Sequence, residues 1–244
     1  MLPLLLFIND KASNIKNILV NKDCEIKQFE GDNIYEIFLN NQPVNWLVKT
    51  YKNSYHSKKE VDILSQLENV EGIPRLFAFG SSSIFSYIII SKIKGESMHL
   101  FKGKFKENQL KNISKQLLVI LEKMHSKNLI HKDIKPENIM YDKSIEKVYL
   151  IDFEQKMTDG FECPEFYDKK KLSSKWDIWS FGISIYELYY GVIPFKNSEE
   201  VKNKNLEFKD NISNDFRDFL ECCLEKNEGK RYSAQELLNH IWLN

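Results

Sequence analysis

The segment His131-Lys132-Asp133-Ile134-Lys135-Pro136-Glu137-Asn138 sets a carboxylate, an ammonium and a carboxamide within a few positions of one another, and a further carboxylate follows at Asp152. Such groups handle charge: a carboxylate takes up a proton, side-chain oxygens hold a hard cation, and a lysine neutralises an anion. A polar loop with a chance His and Asp is the plain alternative, although a match to three spaced residues somewhere in a chain of this length is only about a few-per-cent event. The four cysteines, Cys24, Cys163, Cys222 and Cys223, form no C-x-x-C pair and two of them are adjacent. That spacing suits neither a disulfide framework nor a zinc site, and it points to a reducing, intracellular (cytoplasmic) setting.

The elements that must position these groups fall into two regions. Up to about residue 90 the chain reads as short strands, at Glu25 to Phe29, Tyr35 to Leu39 and Trp46 to Tyr51, with Asn40-Asn41-Gln42-Pro43 as the turn between the last two. A helix over Lys58 to Leu67 places Val61, Leu64 and Leu67 on one face, and strands at Leu76 to Phe79 and Phe85 to Ile90 follow. Beyond Lys94-Gly95 the pattern turns helical. Leu110, Ile113, Leu117, Leu121 and Met124 mark an amphipathic helix, Ile139 to Tyr141 and Val148 to Ile151 a short hairpin, and Trp176 to Tyr190 a helix apolar on nearly every side, hence buried. Phe216, Phe219, Leu220, Cys223 and Leu224 share a later helical face, and Ser233-Ala234-Gln235-Glu236 is a capping box.

Composition narrows the function classes. With 244 residues, 42% of them hydrophobic, the chain can bury a core of one large domain or two small lobes. Its 35 basic and 35 acidic residues balance, so no global field favours nucleic acid or an anionic membrane. The apolar start, Leu2 to Ile8, is too short to span a bilayer and lacks the flanks of a signal peptide, so it is expected to pack against the domain. Arginine occurs only at Arg75, Arg217 and Arg231, which draws attention to any position where planar, bidentate geometry is needed.

The loop H-x-D-x-K-x-x-N at 131 to 138, a hairpin and then Asp152-Phe153 resemble the eukaryotic protein kinases in order and spacing. The resemblance runs from about Glu25 to Leu243 and implies an α+β, bilobal fold: a small β-rich lobe to about residue 90, a hinge at 91–94 and a mainly helical lobe over 95–244, together one domain with no appended regulatory domain. It further implies ATP and Mg²⁺ as cofactors and a protein as substrate. Asp133 would accept the substrate hydroxyl's proton, and Lys135 would sit beside the transferred phosphoryl, as in serine/threonine-specific members. Asn138 and Asp152 would hold Mg²⁺. Trp46-Leu47-Val48-Lys49 corresponds to the V-A-I-K strand, so Lys49 would bind the α and β phosphates with Glu60 as its ion-pair partner. Ile90 would be the gatekeeper, the Ser91 carbonyl and Ile93 amide would meet adenine, and Ile37 and Met140 would sandwich its ring. Gly31 would lie in the phosphate loop and Thr158 in the substrate loop. Glu165, Asp177 and Arg231 stand for the architectural framework, with His131 and Phe153 as packing residues.

The sequence departs from the family at several points. Only Gly31 remains of the glycine-rich loop, with Glu30 and Asp32 beside it, Leu47 replaces a small alanine above adenine, and Glu154 replaces the glycine of D-F-G. Lys132 stands where an arginine often clamps a phosphorylated segment, and very few residues separate Glu154 from Thr158. The expectation is an active serine/threonine protein kinase that needs no phosphate on its activation segment. A regulatory protein partner would then supply any control. The alternatives are a pseudokinase scaffold, motivated by the degenerate loop, Leu47 and Glu154, and a small-molecule kinase, against which the Glu165, Asp177 and Arg231 framework argues.

Overall fold

Asn40 and Asn41 both take the left-handed conformation, with φ of 49° and 62°, which is the geometry a two-residue hairpin turn demands and asparagine tolerates. This computed structural model describes residues 24–30, 33–52, 54–81, 86–154, 156–209 and 212–244; the apolar start at Leu2 to Ile8, and Gly31 with Asp32, lie outside them. Because the turn is only two residues long, Gln42 and Pro43 belong to the following strand, not to the turn as expected. The strands are β1 (Cys24–Glu30), β2 (Ile34–Leu39) and β3 (Gln42–Tyr51), followed by helix α1 (Ser54–Gln66), β4 (Leu76–Ser81) and β5 (Ser86–Ser91). They form one antiparallel five-stranded sheet in the order β1-β2-β3-β5-β4.

The chain divides into two units, the first holding the described residues up to Asn69 together with Ile73–Ile93, the second Val70–Gly72 and Lys94–Asn244. In the first unit, alternation along each strand gives the sheet two different faces. One buries Ile37, Val48, Ala78, Tyr87 and Ile89 in a cluster flanked by Tyr35, Trp46 and Phe77. The other carries Leu47, Lys49 and Tyr51, and α1 packs there: Ser57 Oγ donates to Ser86 Oγ at 2.7 Å, with Ser86 directly opposite Tyr51. Helix α1 starts four residues before the expected Lys58, and its buried positions are Ser57, Glu60, Ile63 and Leu64, with Val61 only half-buried.

The second unit is helical around a small three-stranded sheet of β6 (Glu96–Ser97), β7 (Ile139–Asp142) and β8 (Lys147–Leu150). Its principal helices are α2 (Glu107–His125), α3 (Pro164–Tyr167), α4 (Lys175–Tyr190), α5 (Ser198–Asn203), α6 (Asn214–Cys223) and α7 (Ala234–Leu238). The expected apolar face of α2 is buried at Leu110, Ile113, Leu117, Leu121 and Met124, and α7 opens on the Ser233/Glu236 capping box. Gly72 explains why Val70–Gly72 joins this unit: its carbonyl accepts the Leu150 amide at 2.8 Å, its φ is +89°, and a Cβ there would lie 2.5 Å from Ile120 Cδ1. Helix α4 is buried from Trp176 to Leu188 and ends on Gly191, left-handed at φ 76°. Gly182 lets α6 approach it, since a Cβ there would meet Cys223 Cβ at 2.7 Å.

Arg231 ties the framework together. Its two terminal nitrogens donate to the two Glu165 oxygens at 2.5 and 2.9 Å, its Nε donates to the Glu225 carbonyl, and its guanidinium lies 5.0 Å from the Trp179 ring centre. Burial alone would push the Glu165 carboxyl up, but the Arg231 bonds and charge outweigh it and hold the pKa below the usual value. Only a planar fork fills all these acceptors at once. Arg231→Met is therefore expected to cost about 3–5 kcal/mol in urea unfolding, because it strands a buried carboxylate. Arg231→Lys should restore only part of that, and a lysine variant as stable as the parent would show that the fork is dispensable.

Candidate active site

A row of polar residues runs along the buried helix α4 at Asp177, Ser180, Ser184 and Glu187, spaced three or four apart and so on one side of it. Each is nearly inaccessible to solvent. Asp177 accepts the backbone N–H of His131 at 2.9 Å and of Lys132 at 2.8 Å, and pairs with His125 Nε2 at 2.9 Å. Ser180 Oγ donates to the Phe161 carbonyl at 2.8 Å, while the Ser184 hydroxyl, whose shorter bond runs to the Ser180 carbonyl at 2.8 Å, lies 3.3 Å from the Ile134 carbonyl. The helix thus grips the loop by the backbone of His131 and Lys132, and Lys132 is held there at φ 73°, a conformation unfavourable to lysine in isolation.

His131 is spent on the same task. Its Nδ1 accepts the Asp133 amide at 3.3 Å, so Nε2 carries the proton and donates to the Ile151 carbonyl at 3.1 Å. The ring packs edge-on against Phe153 with centres 4.8 Å apart. Burial drives its pKa down, more than Asp177, Asp152 and Asp133 can raise it, and the imidazole is neutral.

Asp133, only 4% exposed, collects the reactive groups. Asn138 Nδ2 donates to its Oδ2 at 2.9 Å and to its backbone carbonyl at 2.8 Å. Lys135 Nζ lies 2.8 Å from Oδ2, while Thr158 Oγ1 donates to Oδ1 at 2.6 Å and accepts from Lys135 Nζ at 2.5 Å. Four sequence-selected residues therefore stand in one hydrogen-bonded group. The Ile151 amide donates to the Asn138 carbonyl at 2.9 Å, which sets Asp152 beside this group with a left-handed backbone at φ 64°. Both amide hydrogens of Asn138 point at Asp133, so its Oδ1 is the oxygen offered for a ligand. That oxygen and the Asp152 carboxylate would offer hard oxygen donors of the kind Mg²⁺ prefers. Glu154, the residue in place of glycine, is ion-paired with Lys156 at 3.0 Å.

In the first unit, Lys49 Nζ meets Glu60 Oε2 at 3.1 Å, both groups buried, and the Tyr51 hydroxyl makes a close hydrogen bond to the same oxygen. Tyr51 was not among the sequence candidates, although its place two residues after Lys49 puts it on the same strand face. Leu47 stands directly opposite Ile90 on that face. Ser91 closes β5 opposite Trp46, with its amide on the Arg75 carbonyl at 2.8 Å, and Ile93 is the last residue of the unit. Met140, in the second unit, is half-buried on β7 opposite Ser97.

Ile37 does not share the face of Leu47. It is fully buried in the cluster on the other side of the sheet, and Glu36 is the residue opposite Leu47, ion-paired with Lys92 at 2.6 Å. A one-residue error in register moves a side chain to the wrong face. An even-numbered turn, of two residues or of four, sets Glu36 and not Ile37 on the face of Leu47, and the register shift between Glu36 and Phe38 keeps that parity. Gly31 lies outside the described residues. A separate trio, Asp218, Cys222 and His240, has ligand atoms within 4.8 Å of one another. His240 Nδ1 accepts the Trp242 amide, so its proton sits on Nε2, directed at Asp218 3.0 Å away, and that nitrogen has no lone pair to give a metal.

Residues 40–243 match the protein kinase domain, and the chain belongs to the protein kinase family. Among curated relatives it is 30% identical over 222 residues to calcium-dependent protein kinase 3 of Plasmodium yoelii yoelii, covering 80% of this chain and 41% of that protein. It is 28% identical over 238 residues to serine/threonine-protein kinase 1 of African swine fever virus, covering 88% of this chain and 78% of the relative. The chain thus spans less than half of the Plasmodium relative. Among solved structures, the kinase PK-1 of Cydia pomonella granulovirus superposes with a TM-score of 0.84 at 20% identity, covering 96% of this chain and 99% of that one, which establishes the bilobal α+β kinase fold. Among the described residues no helix is long and apolar enough to cross a membrane.

The neutral, buried His131 makes stability depend on pH. Its folded pKa lies below the ordinary histidine value of about 6.5, so the unfolded chain binds the proton more readily, and stability falls as pH drops below about 6.5. His131→Phe should be less stable by about 1–3 kcal/mol at pH 7.5 through the lost bonds. It should also lose less stability than the parent below pH 6.5, the slopes differing by up to about 1.4 kcal/mol per pH unit. Parallel pH profiles for the two proteins would contradict this.

Proposed function

We propose that this chain is a serine/threonine protein kinase that transfers the γ-phosphate of ATP to a protein hydroxyl and works without phosphorylation of its activation segment. The observation that carries the reading is the Asp133 carboxylate, with Lys135 and Asn138 on one oxygen and Thr158 on the other. A substrate hydroxyl placed at Oδ1 would give its proton to Asp133 as its oxygen attacks the γ-phosphorus and the bond from that phosphorus to the bridging oxygen breaks, releasing ADP. Lys135 neutralises charge on the transferred phosphoryl, and Thr158 marks where the substrate main chain lies.

Asn138 Oδ1 and the Asp152 carboxylate would hold Mg²⁺, which supplies charge neutralisation on the phosphates when bound. Lys49, fixed by Glu60 and Tyr51, would take the α and β phosphates. Glu36, not Ile37, would neighbour Leu47 at the adenine surface, with Ile90 across from it, Met140 on the other side of the ring, and the Ser91 carbonyl and Ile93 amide at its edge. Two large aliphatic side chains on one face leave less room for adenine than an alanine would, which supports a weak affinity for ATP.

Independence from a phosphate switch rests on the groups that already hold the loop. Asp177 and Thr158 hold His131, Lys132, Asp133 and Lys135 without any phosphate, and the segment between Glu154 and Thr158 is short. The protein is expected to act in the cytoplasm on protein substrates.

Labelled γ-phosphate transfer to mixed protein substrates in Mg²⁺ tests the reading. Asp133→Asn should reduce transfer by at least about 100-fold, with the label on serine and threonine and no phosphosite between Asp152 and Glu165 in the active protein. Transfer no greater than that of the Asp133→Asn protein, with a melting temperature unmoved by ATP and Mg²⁺, would instead establish the scaffold reading.

A further inference from the structure

Beside the catalytic loop lies an acidic pair already filled by a cation of the same chain. Glu137, next to Asn138, and Glu187, in the last turn of α4, both bind Lys102, whose Nζ lies 3.0 Å from Glu137 Oε1 and 2.8 Å from Glu187 Oε1. His99 Nδ1 also closes on Glu137 Oε1. Lys102 follows the short helical turn Met98–Phe101, and Gly103 pins that turn to α4 by donating its amide to the Leu188 carbonyl at 2.9 Å.

The second oxygen of each carboxylate is buried and accepts no hydrogen bond among the described residues. Glu187 is itself 7% exposed. One ammonium reaches a single oxygen of each carboxylate, whereas a guanidinium has five donors in a plane. Without Lys102 only the His99 ring would remain on Glu137 and no cation on Glu187, leaving a double negative charge that is a strong acceptor for a basic side chain. With Lys102 in place that charge is largely met. Burial costs the ammonium solvation, yet its bonds to Glu187 and Glu137 outweigh this and its pKa is raised, so it stays charged.

The pair is within reach of a bound peptide. Glu137 is four residues from Asp133, at most about 15 Å along the chain, and an extended peptide covers that distance in four or five residues.

We propose that Lys102 sets substrate specificity by occupying the Glu137–Glu187 carboxylates, so that the chain gains nothing from an arginine near the phosphorylated hydroxyl. The inference rests on the reading of the protein as a kinase acting on polypeptides. An incoming arginine must first displace a lysine that already has two charge-assisted bonds, and the exchange returns little.

Peptide binding measured by fluorescence anisotropy tests this without relying on turnover. The peptides carry alanine in place of the acceptor serine and an arginine moved through the five positions on either side, with an all-neutral peptide for comparison. The parent protein is expected to bind all of them within about twofold, while Lys102→Met should bind the best arginine peptide about tenfold more tightly and the neutral peptide unchanged. Adding Glu187→Gln should abolish the gain. Lys102→Arg, which keeps a cation in place, should show no arginine preference and a melting temperature at or above that of the parent. Arginine preference in the parent equal to that of Lys102→Met, or no preference in a folded Lys102→Met, would overturn the proposal. Absent phosphoryl transfer with the arginine gain intact would count against the catalytic reading alone.

Discussion

The Asp177 carboxylate, buried with no solvent exposure in the middle of the second unit, is the constraint on which the rest of the site depends. It is made bearable by three donors, the amides of His131 and Lys132 and the His125 ring. Those same bonds hold the loop in a shape that Lys132 would not adopt in isolation. Ser180 extends the grip to the Phe161 carbonyl, so one side of one helix holds both the segment that carries Asp133 and the segment that leads to Glu165. The apolar remainder of α4 keeps that side from turning, because rotating it would expose Trp179, Phe181 and Ile185.

The Arg231–Glu165 pair performs the complementary task at the other end of the segment. Four of the guanidinium's N–H donors are matched to carboxylate and carbonyl acceptors, which is the case in which a buried ion pair fixes geometry. Between these two anchors the stretch containing Thr158 reaches Asp133 without a phosphate. Asp133, Lys135 and Thr158 are therefore arranged before any ligand arrives, which under the proposed function is the condition for positioning to contribute to rate.

Much of this was legible in the sequence, and the reasons differ by element. The loop 131–138 and Asp152 are recognisable because their chemistry fixes residue types at fixed spacing, and α2 and α7 because a periodic apolar face and a capping box are local signals. Arg231 stood out because so few arginines occur. The role of α4's polar side was hidden: Asp177, Ser180, Ser184 and Glu187 are scattered through an apolar run, and their partners lie as far off in sequence as Lys102 is from Glu187. The Ile37 expectation failed for a different reason. An even turn, of two residues or of four, already puts Glu36 and Ile34 on the face of Leu47 and Lys49, so the motif correspondence that assigned Ile37 to adenine ran against the parity of the strand pairing. Val70–Gly72 joining the second unit is set by one carbonyl and one glycine that no periodicity announces.

The most direct test of the account is whether the Asp177 grip on the loop sets the rate of the chemical step. Asp177→Asn keeps the size of the side chain but turns an N–H₂ toward a backbone N–H, so the loop should lose its fixed position while the Lys49–Glu60 pair is untouched. Single-turnover phosphoryl transfer at saturating ATP and Mg²⁺ is predicted to slow by at least about 100-fold, with nucleotide affinity within about threefold of the parent. An Asp177→Asn protein that transfers phosphate at the parental rate would contradict the central claim.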